Sequence, residues 1–311
     1  MKPKTHLLID GDVIAFTAAS AAQEVIMDVF GYARPFAYSK TGEAVVENML
    51  GNLKANLGAD SFQVVLSDPK ANWRKQVDPT YKTNRVGDRP LLLDYLKDYL
   101  RQEHDAFHWD SLEADDVLGI LMTDPSRLGY CDLRERVCHG GLPADGDPCP
   151  HCNSRLICVG RDKDFKSIPG LHHMLRDNDP QGKPIVREVT QWAGDRFHMI
   201  QTLAGDAVDG YAGCAGIGMK RAAEIIDNPV RLVPQPGVKT RGVNKGEGVT
   251  RWIAEPTRDY WVAIVSQYLK AGMTEDDALR TARLARILRY GEYNPETEEL
   301  ILWTPDMLPR R

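Results

Sequence analysis

The chain has 311 residues, 42% of them hydrophobic, with 39 basic and 44 acidic side chains and a formal net charge of −5. That length allows about two domains with ordinary cores, and the net charge alone does not advertise a nucleic-acid binder. Nine of the acids fall at recurring positions, however, and without them the rest of the chain is net basic, so Lys and Arg dominate the remaining surface.

The first apolar run, Leu7-Leu8-Ile9, is far too short for a signal peptide or a membrane span. The expectation is a soluble, cytoplasmic protein with no membrane partner. Six cysteines without an export signal are then expected as thiols or metal ligands.

Leu7-Leu8-Ile9 reads as a buried strand that ends at Asp10-Gly11-Asp12. Such a run suits the centre of a parallel sheet, and in open α/β sheets chemistry gathers outside the C-terminal strand ends. Residues 13–22 are Ala-rich and read as a helix, 25–38 as a hairpin turning at Gly31, and 43–57 as a helix stopped by Gly58. Phe62-Gln63-Val64-Val65-Leu66 repeats the first pattern, a strand followed by Asp68. Lys70, Trp73, Arg74, Lys75, Tyr81, Lys82, Arg85 and Arg89 follow. This mixture reads either as a solvated surface segment or as a cationic arm that handles phosphates and stacks bases. Residues 91–100 read as a helix and 106–109 as a strand.

Next comes Leu112-Glu113-Ala114-Asp115-Asp116-Val117-Leu118. Three carboxylates open an apolar pattern at helical spacing, with Ser111 as the expected N-cap and the acids in the first turn, where the helix dipole tolerates them. Residues 131–154 form a cysteine-rich insertion containing Cys131, Cys138, Cys149 and Cys152. It reads either as a structural zinc knuckle or as a loop with reduced thiols. Arg155 to Gly160 resume the core as a strand and lead to Asp162 and Asp164; residues 171–175 and 184–189 read as a strand pair turning at Gln181-Gly182.

From residue 191 the pattern turns helical. Asp206 and Asp209 lie three apart, and a glycine-rich turn with Gly213, Gly216 and Gly218 opens into a helix beginning Lys220-Arg221. Glycines permit close backbone approach, and a helix start presents N–H groups to a phosphate. A dinucleotide fingerprint is set aside because no strand precedes the glycines. Residues 239–251 form a basic loop or hairpin, read as a phosphate contact or as a solvated loop. Residues 260–269 and 274–288 read as amphipathic helices, the second capped by Thr274, and 299–303 as an edge strand.

The nine acids are Asp10, Asp68, Glu113, Asp115, Asp116, Asp162, Asp164, Asp206 and Asp209. If they converge, mutual repulsion keeps them from all ionising unless cations bind. Carboxylates without histidine favour hard ions, Mg²⁺ or Mn²⁺. Two such ions ~3.5–4 Å apart would clamp a phosphodiester.

The ordered set Leu8-Ile9-Asp10-Gly11-Asp12, Asp68 with Asn72-Trp73-Arg74-Lys75, Tyr81-Lys82-Thr83-Asn84-Arg85, Glu113-Ala114-Asp115-Asp116, Asp162-Lys163-Asp164-Phe165 and Gly205-Asp206-Ala207-Val208-Asp209 resembles the flap endonuclease and 5′–3′ exonuclease superfamily. The likeness is greatest to its small phage members that remove RNA primers. The resemblance implies an α/β fold: a PIN-like nuclease domain over 1–190 with a central, mainly parallel sheet and a helical arch. It also implies a C-terminal domain over 191–311 carrying a helix–three-turn–helix.

It further implies that Asp10, Asp68, Glu113, Asp115 and Asp162 gather one ion. Asp164, Asp206 and Asp209, sharing Asp162, gather a second, with Asp116 near both. Lys82 and Arg85 would steer the scissile phosphate and stabilise developing charge. Tyr81 would stack on a terminal base. Arg74, Gly213, Gly216, Gly218, Lys220 and Arg221 would grip duplex phosphates without reading sequence. The expected activity is metal-dependent 5′–3′ hydrolysis of duplex DNA ends, with flap and RNA-primer removal, by a monomer in the host bacterial cytoplasm. A PIN-type ribonuclease and a non-catalytic structure-specific DNA-binding protein are the alternatives.

Overall fold

In the computed structural model, the described residues are 4–85, 87–125, 130–131, 136–137, 154–241, 243 and 245–308. The chain divides into two compact units. The first comprises Met1–Trp73, Gly87–Ala193 and Ile287–Ile301; the second comprises Arg74–Val86, Gly194–Arg286 and Leu302–Arg311.

The first unit is built on a five-stranded sheet. Its strands are β1 (Lys4–Asp10), β4 (Ser61–Val65), β7 (Ser154–Gly160), β8 (Gly170–Met174) and β9 (Arg187–Val189), in the order β4-β1-β7-β8-β9. All neighbouring pairs are parallel except β8 with β9, which is antiparallel. β1 is central because Leu7, Leu8 and Ile9 have no exposed surface, and a strand buried on both faces must be a continuous apolar run. In register, Ile9 lies between Val64 and Val159. The strand ends carrying Asp10, Asp68 and Asp162 therefore leave the same edge of the sheet.

Leu7, Ile9, Val64, Ile157 and Val159 form one core with Ile14 and Ala18 of α1 (Gly11–Ala22), Val46 and Leu50 of α2 (Ser39–Asn56), and Leu96 and Leu100 of α4 (Leu93–Glu103). Side chains alternate across a strand, so Leu8, Val65 and Cys158 face the other way. α5 (Ala114–Thr123) packs against β1, β4 and β7. A hairpin of β2 (Gln23–Met27) and β3 (Ala33–Ala37) turns at Gly31, where φ is +82°. Two-residue pairs β5 (Tyr130–Cys131) with β6 (Arg136–Val137), and β14 (Tyr293–Asn294) with β15 (Glu299–Leu300), complete its strands among the described residues.

The second unit is mainly helical. α6 (Gln191–Ala204), α7 (Met219–Asp227), α8 (Tyr260–Lys270) and α9 (Glu275–Ala285) accompany the two-residue pair β10 (Gly205–Asp206) and β11 (Tyr211–Ala212). A long antiparallel hairpin joins β12 (Val230–Val238) to β13 (Gly248–Pro256). Tyr268 of α8 donates to the Thr202 carbonyl of α6 at 2.5 Å, and Trp303 packs against both His198 and Trp261. Thr274 caps α9, its hydroxyl accepting from the Asp277 N–H at 3.1 Å.

The segment between β4 and α4, where the resemblance implies a helical arch, holds the four-residue helix α3 (Arg74–Val77) and turns among the described residues. Residues 106–109 make a single bridge, Phe107 to Val65, in place of the expected strand. No helix of the described residues is long and apolar enough to cross a membrane.

Candidate metal centre

Three chain segments meet at the sheet edge of the first unit, and short polar side chains join them. Asp10 ends β1 and caps α1, accepting from the N–H groups of Asp12 (3.0 Å) and Val13 (3.3 Å). Asp12 accepts from the Ser67 N–H at 3.1 Å and pairs with Lys97 of α4 at 2.6 Å. Ser67, just past β4, accepts in turn from the Ala114 N–H at the start of α5 (3.0 Å). Asp68 accepts from the N–H groups of Lys70 (2.8 Å) and Ser111 (2.7 Å). Asp162 follows β7 and caps a short 3₁₀ turn, accepting from the Asp164 N–H at 3.0 Å.

Glu113, Asp115 and Asp116 present carboxylate oxygens within 4.8 Å of one another. Asp116 is fully buried. It accepts from Trp73 Nε1 (2.9 Å), the Leu288 N–H (3.2 Å) and the Glu113 N–H (3.4 Å). These bonds take three of about four lone-pair sites, so Asp116 braces the turn while still offering an oxygen to the acidic cluster. Ser111 is not the cap of α5. Glu113 occupies that position, while Ser111 sits at φ +62° and turns its N–H to Asp68.

Electrostatics record the crowding. Burial, then the charge of Asp12, then that of Asp162, push the Asp10 carboxyl up to about 7 against the pull of the two amides that cap α1. The Cys158 thiol is raised well above its ordinary range by burial first and then by Asp10 and Asp115, so both acids lie near the middle of the sheet edge. Asp68 is the contrast. Burial raises it, but the amides of Lys70, Ser111 and Ala71 and the charge of His108 outweigh this and hold it low. An all-carboxylate set in which Asp10 disfavours its own ionisation fits a divalent cation.

Asp206 and Asp209 lie in the second unit, both buried. Asp206 accepts from the Val208 N–H at 2.9 Å. Asp209 is surrounded by donors: Tyr81 Oη at 3.0 Å, Arg85 Nη2 at 2.5 Å and Lys82 Nζ at 3.5 Å. The Lys82 N–H also donates to the Asp209 carbonyl (2.8 Å), and Asn84 Nδ2 donates to the Ala207 carbonyl (2.7 Å). Residues 81–85 are thereby strapped to residues 207–209.

The exonuclease of Escherichia phage T7 is 32% identical over 313 aligned residues, spanning 97% of this chain and 94% of that protein. The chain belongs to the 5′–3′ exonuclease superfamily. The exodeoxyribonuclease of Enterobacteria phage T3 is 30% identical over the same 97% of the chain, spanning 93% of that protein. A flap endonuclease Xni of Shewanella baltica is 28% identical over 169 residues, 52% of this chain and 55% of that one. Among solved structures, the D15 protein of phage T5 co-crystallised with metal ions aligns with TM-score 0.53 at 17% identity, covering 91% of this chain and 89% of that one. At that identity the likeness is one of fold. No family model matches the chain.

In this member of the superfamily, two residues expected at DNA lie inside the second unit. Arg74 and Tyr81 are each only 2% exposed. The Arg74 guanidinium donates to the carbonyls of Leu284 (3.0 Å) and Arg286 (2.6 Å), and Tyr81 packs with Tyr211 and Leu284. Both hold the second unit together; neither presents a surface to a base or phosphate. Gly213 is also structural. A Cβ there would lie 2.4 Å from the Leu203 carbonyl oxygen and from the Gly205 nitrogen, so its bare backbone permits a chain crossing.

Gly216, at φ +78°, and Gly218, the cap of α7, face open space, as a backbone meeting a ligand requires. Lys220 and Arg221 are exposed, Arg221 pairing with Glu224 at 3.1 Å. The zinc expectation at Cys131, Cys138, Cys149 and Cys152 lies outside the residues whose side chains are described. Asp12, Ser67 and Lys97 were not singled out from sequence. The signal for Asp12 was present in Asp10-Gly11-Asp12, but Ser67 and Lys97 carry none without the fold.

Proposed function

We propose that the protein is a divalent-metal-dependent 5′–3′ exonuclease that trims 5′ ends of duplex DNA and removes flaps and RNA primers. The metal-dependent exonuclease and flap activity follows from the chain's relatives. The finer reading concerns residues, ions and substrate. The observation that supports it is the meeting of Glu113, Asp115 and Asp116 at the edge where Asp10, Asp68 and Asp162 leave the sheet.

In this reading Asp10, Asp68, Glu113, Asp115, Asp162 and Asp164 hold two Mg²⁺ or Mn²⁺ ions, with Asp116 orienting the turn beneath them. When bound, such ions supply an activated water and neutralise charge on the transferring phosphoryl group. The protein's own contribution is positional. Asp12, Ser67 and the amides of Lys70 and Ser111 fix the strand ends, so the carboxylates are aligned before any ion arrives. Asp10, raised to about 7, gives up its proton as charge is supplied. Lys82 and Arg85 are held by Asp209. An incoming phosphate competes with that carboxylate for them, which keeps both cations extended at one spot. Gly216, Gly218, Lys220 and Arg221 bind duplex phosphates as part of a helix–three-turn–helix. The ligand role expected of Asp206 and Asp209 belongs to the same proposal. The protein acts as a monomer in the host cytoplasm.

The test is digestion of a 5′-labelled duplex. Label released as mononucleotide with Mg²⁺, and no release with EDTA, is expected. Asp162→Asn should abolish release while leaving DNA binding intact, and normal turnover by that variant removes its assigned role. Asp206→Asn and Asp209→Asn in the same assay test the remaining ligands. A gel shift without cleavage under any metal would support a binding protein in place of an enzyme.

A further inference from the structure

The long hairpin of the second unit carries charge that the metal centre does not use. Residues 230–256 hold five bases, Arg231, Lys239, Arg241, Lys245 and Arg251, against two acids, Glu247 and Glu255, in a chain whose formal net charge is −5. β12 and β13 pair in register from Val230 with Pro256 to Val238 with Gly248, so the ribbon runs about 30 Å. Its base is held: β12 packs on α8, and Val230, Leu232 and Val233 are half-buried. Its far end is open: Val238, Thr240, Arg241, Val243 and Lys245 are exposed. The charges do not cancel. Glu247 pairs with Lys239 at 2.8 Å, and Glu255 stands opposite Arg231 in the ladder near the base. Arg251 crosses Gly237, where a Cβ would fall 2.8 Å from its Nε, and donates to the Val238 carbonyl at 2.9 Å, a neutral acceptor that leaves its charge intact. Arg241 and Lys245 form no ion pair among the described residues. The acids that precede the hairpin on α7, Glu224 and Asp227, are already paired with Arg221 and Arg196.

We propose that the β12–β13 hairpin is a second grip on duplex DNA, with Arg241, Lys245 and Arg251 on backbone phosphates. The choice of DNA as the polyanion rests on the nuclease reading above; the hairpin's charge and shape do not. A two-stranded ribbon is of a size that the major groove admits. The hairpin also continues the surface proposed at Gly218. α7 starts there and leads through Asn228 and Pro229 into β12, so the hairpin's base lies one helix length, about 14 Å, from that turn. Between Val238 and Val249 there is no aromatic residue on which an unpaired base could stack, which favours a duplex over a single strand. Pro234 and Pro236 leave β12 without two of the N–H donors that an added protein strand would need, which disfavours a partner that extends the ribbon along that edge.

The experiment is an anisotropy titration of a labelled duplex with the full-length protein in EDTA, repeated over a series of salt concentrations. Two variants are compared with the parent. One combines Arg241→Glu with Lys245→Glu; the other replaces residues 239–247 with Asn-Gly, a two-residue turn that closes the same register. Both change only the exposed end and should melt like the parent. Each should bind the duplex about tenfold or more weaker, and the slope of log affinity against log salt should become shallower by about 2, as two phosphate contacts require. Affinity for single-stranded DNA should fall less. Parent-like affinity and slope in both variants, a loss of affinity at unchanged slope, or an equal loss on single strands would each overturn the proposal. A parent that binds no duplex would bring down the nuclease reading as well, whereas a parent that binds and is matched by both variants removes the hairpin alone.

Discussion

Asp10→Asn isolates what crowding costs the protein. The Asn carbonyl still accepts from the N–H groups of Asp12 and Val13, so α1 keeps its cap. What disappears is the charged form. Between the ordinary value of 3.8 and the folded value of about 7, the native carboxyl holds a proton that the unfolded chain has released. Stability contributed by this group therefore falls as pH rises through that window, and the full cost is present above pH 7.

The displacement from 3.8 to about 7 corresponds to ~4 kcal/mol at most. Asp10 keeps some contact with solvent, which lowers the expected gain on substitution to about 1–3 kcal/mol. At roughly 2–4 °C per kcal/mol for a unit of this size, the variant in EDTA at pH 8 should melt several degrees above the parent. Below pH 3.8, where the carboxyl is protonated in the unfolded chain as well as the folded one, the two should melt together. Added Mg²⁺ should reverse the order, because the parent gains the ion and the variant loses a ligand. Scanning calorimetry at both pH values, with and without metal, reads all of this. Equal melting of parent and variant at pH 8 in EDTA would refute the reasoning that burial, with the charges of Asp12 and Asp162, disfavours an ionised Asp10.

Three further outcomes are expected. Gly119→Ala places a Cβ 2.4 Å from the Leu288 carbonyl oxygen and 2.7 Å from Ile287, so the first unit should lose about 1–3 kcal/mol in urea unfolding; a neutral result would show that the contact relaxes freely. Tyr81→Phe removes the hydroxyl that donates to Asp209 and should cost about 1 kcal/mol of stability with no change in DNA affinity in EDTA, whereas a loss of affinity at unchanged stability would restore Tyr81 as a DNA contact. Asp209→Asn frees Lys82 and Arg85 of a counter-charge; DNA binding in EDTA should tighten several-fold and depend more steeply on salt, and an unchanged salt slope would argue that neither cation reaches a phosphate.

Much of the architecture was legible from periodicity. Leu7-Leu8-Ile9 could only be a strand buried on both faces, and the recurrence of an acid just past each such run marks one edge of a parallel sheet. Thr274 with Asp277 announces the start of α9 because capping is local chemistry. What could not be read depends on tertiary partners. Tyr81 and Arg74 look like nucleic-acid residues by composition, and only the positions of Asp209, Leu284 and Arg286 reveal that both are enclosed. Ser111 lost the cap to Glu113 because its backbone sits at φ +62°, outside the extended conformation a cap adopts, with its N–H turned to Asp68, forty-three residues away. Gly213 looks the same in sequence whether a ligand or another backbone approaches it.

Neither unit is a continuous stretch of chain, and this bears on synthesis. Asp116, which braces the acidic turn, waits for the N–H of Leu288 to emerge before its bonds are complete. The second unit likewise needs residues 74–86, made long before the rest of it. A fragment cut at residue 193 would deprive Asp209 of Tyr81, Lys82 and Arg85 and leave a buried carboxylate stranded. The brace under the acidic turn is therefore complete only once residue 288 has been made.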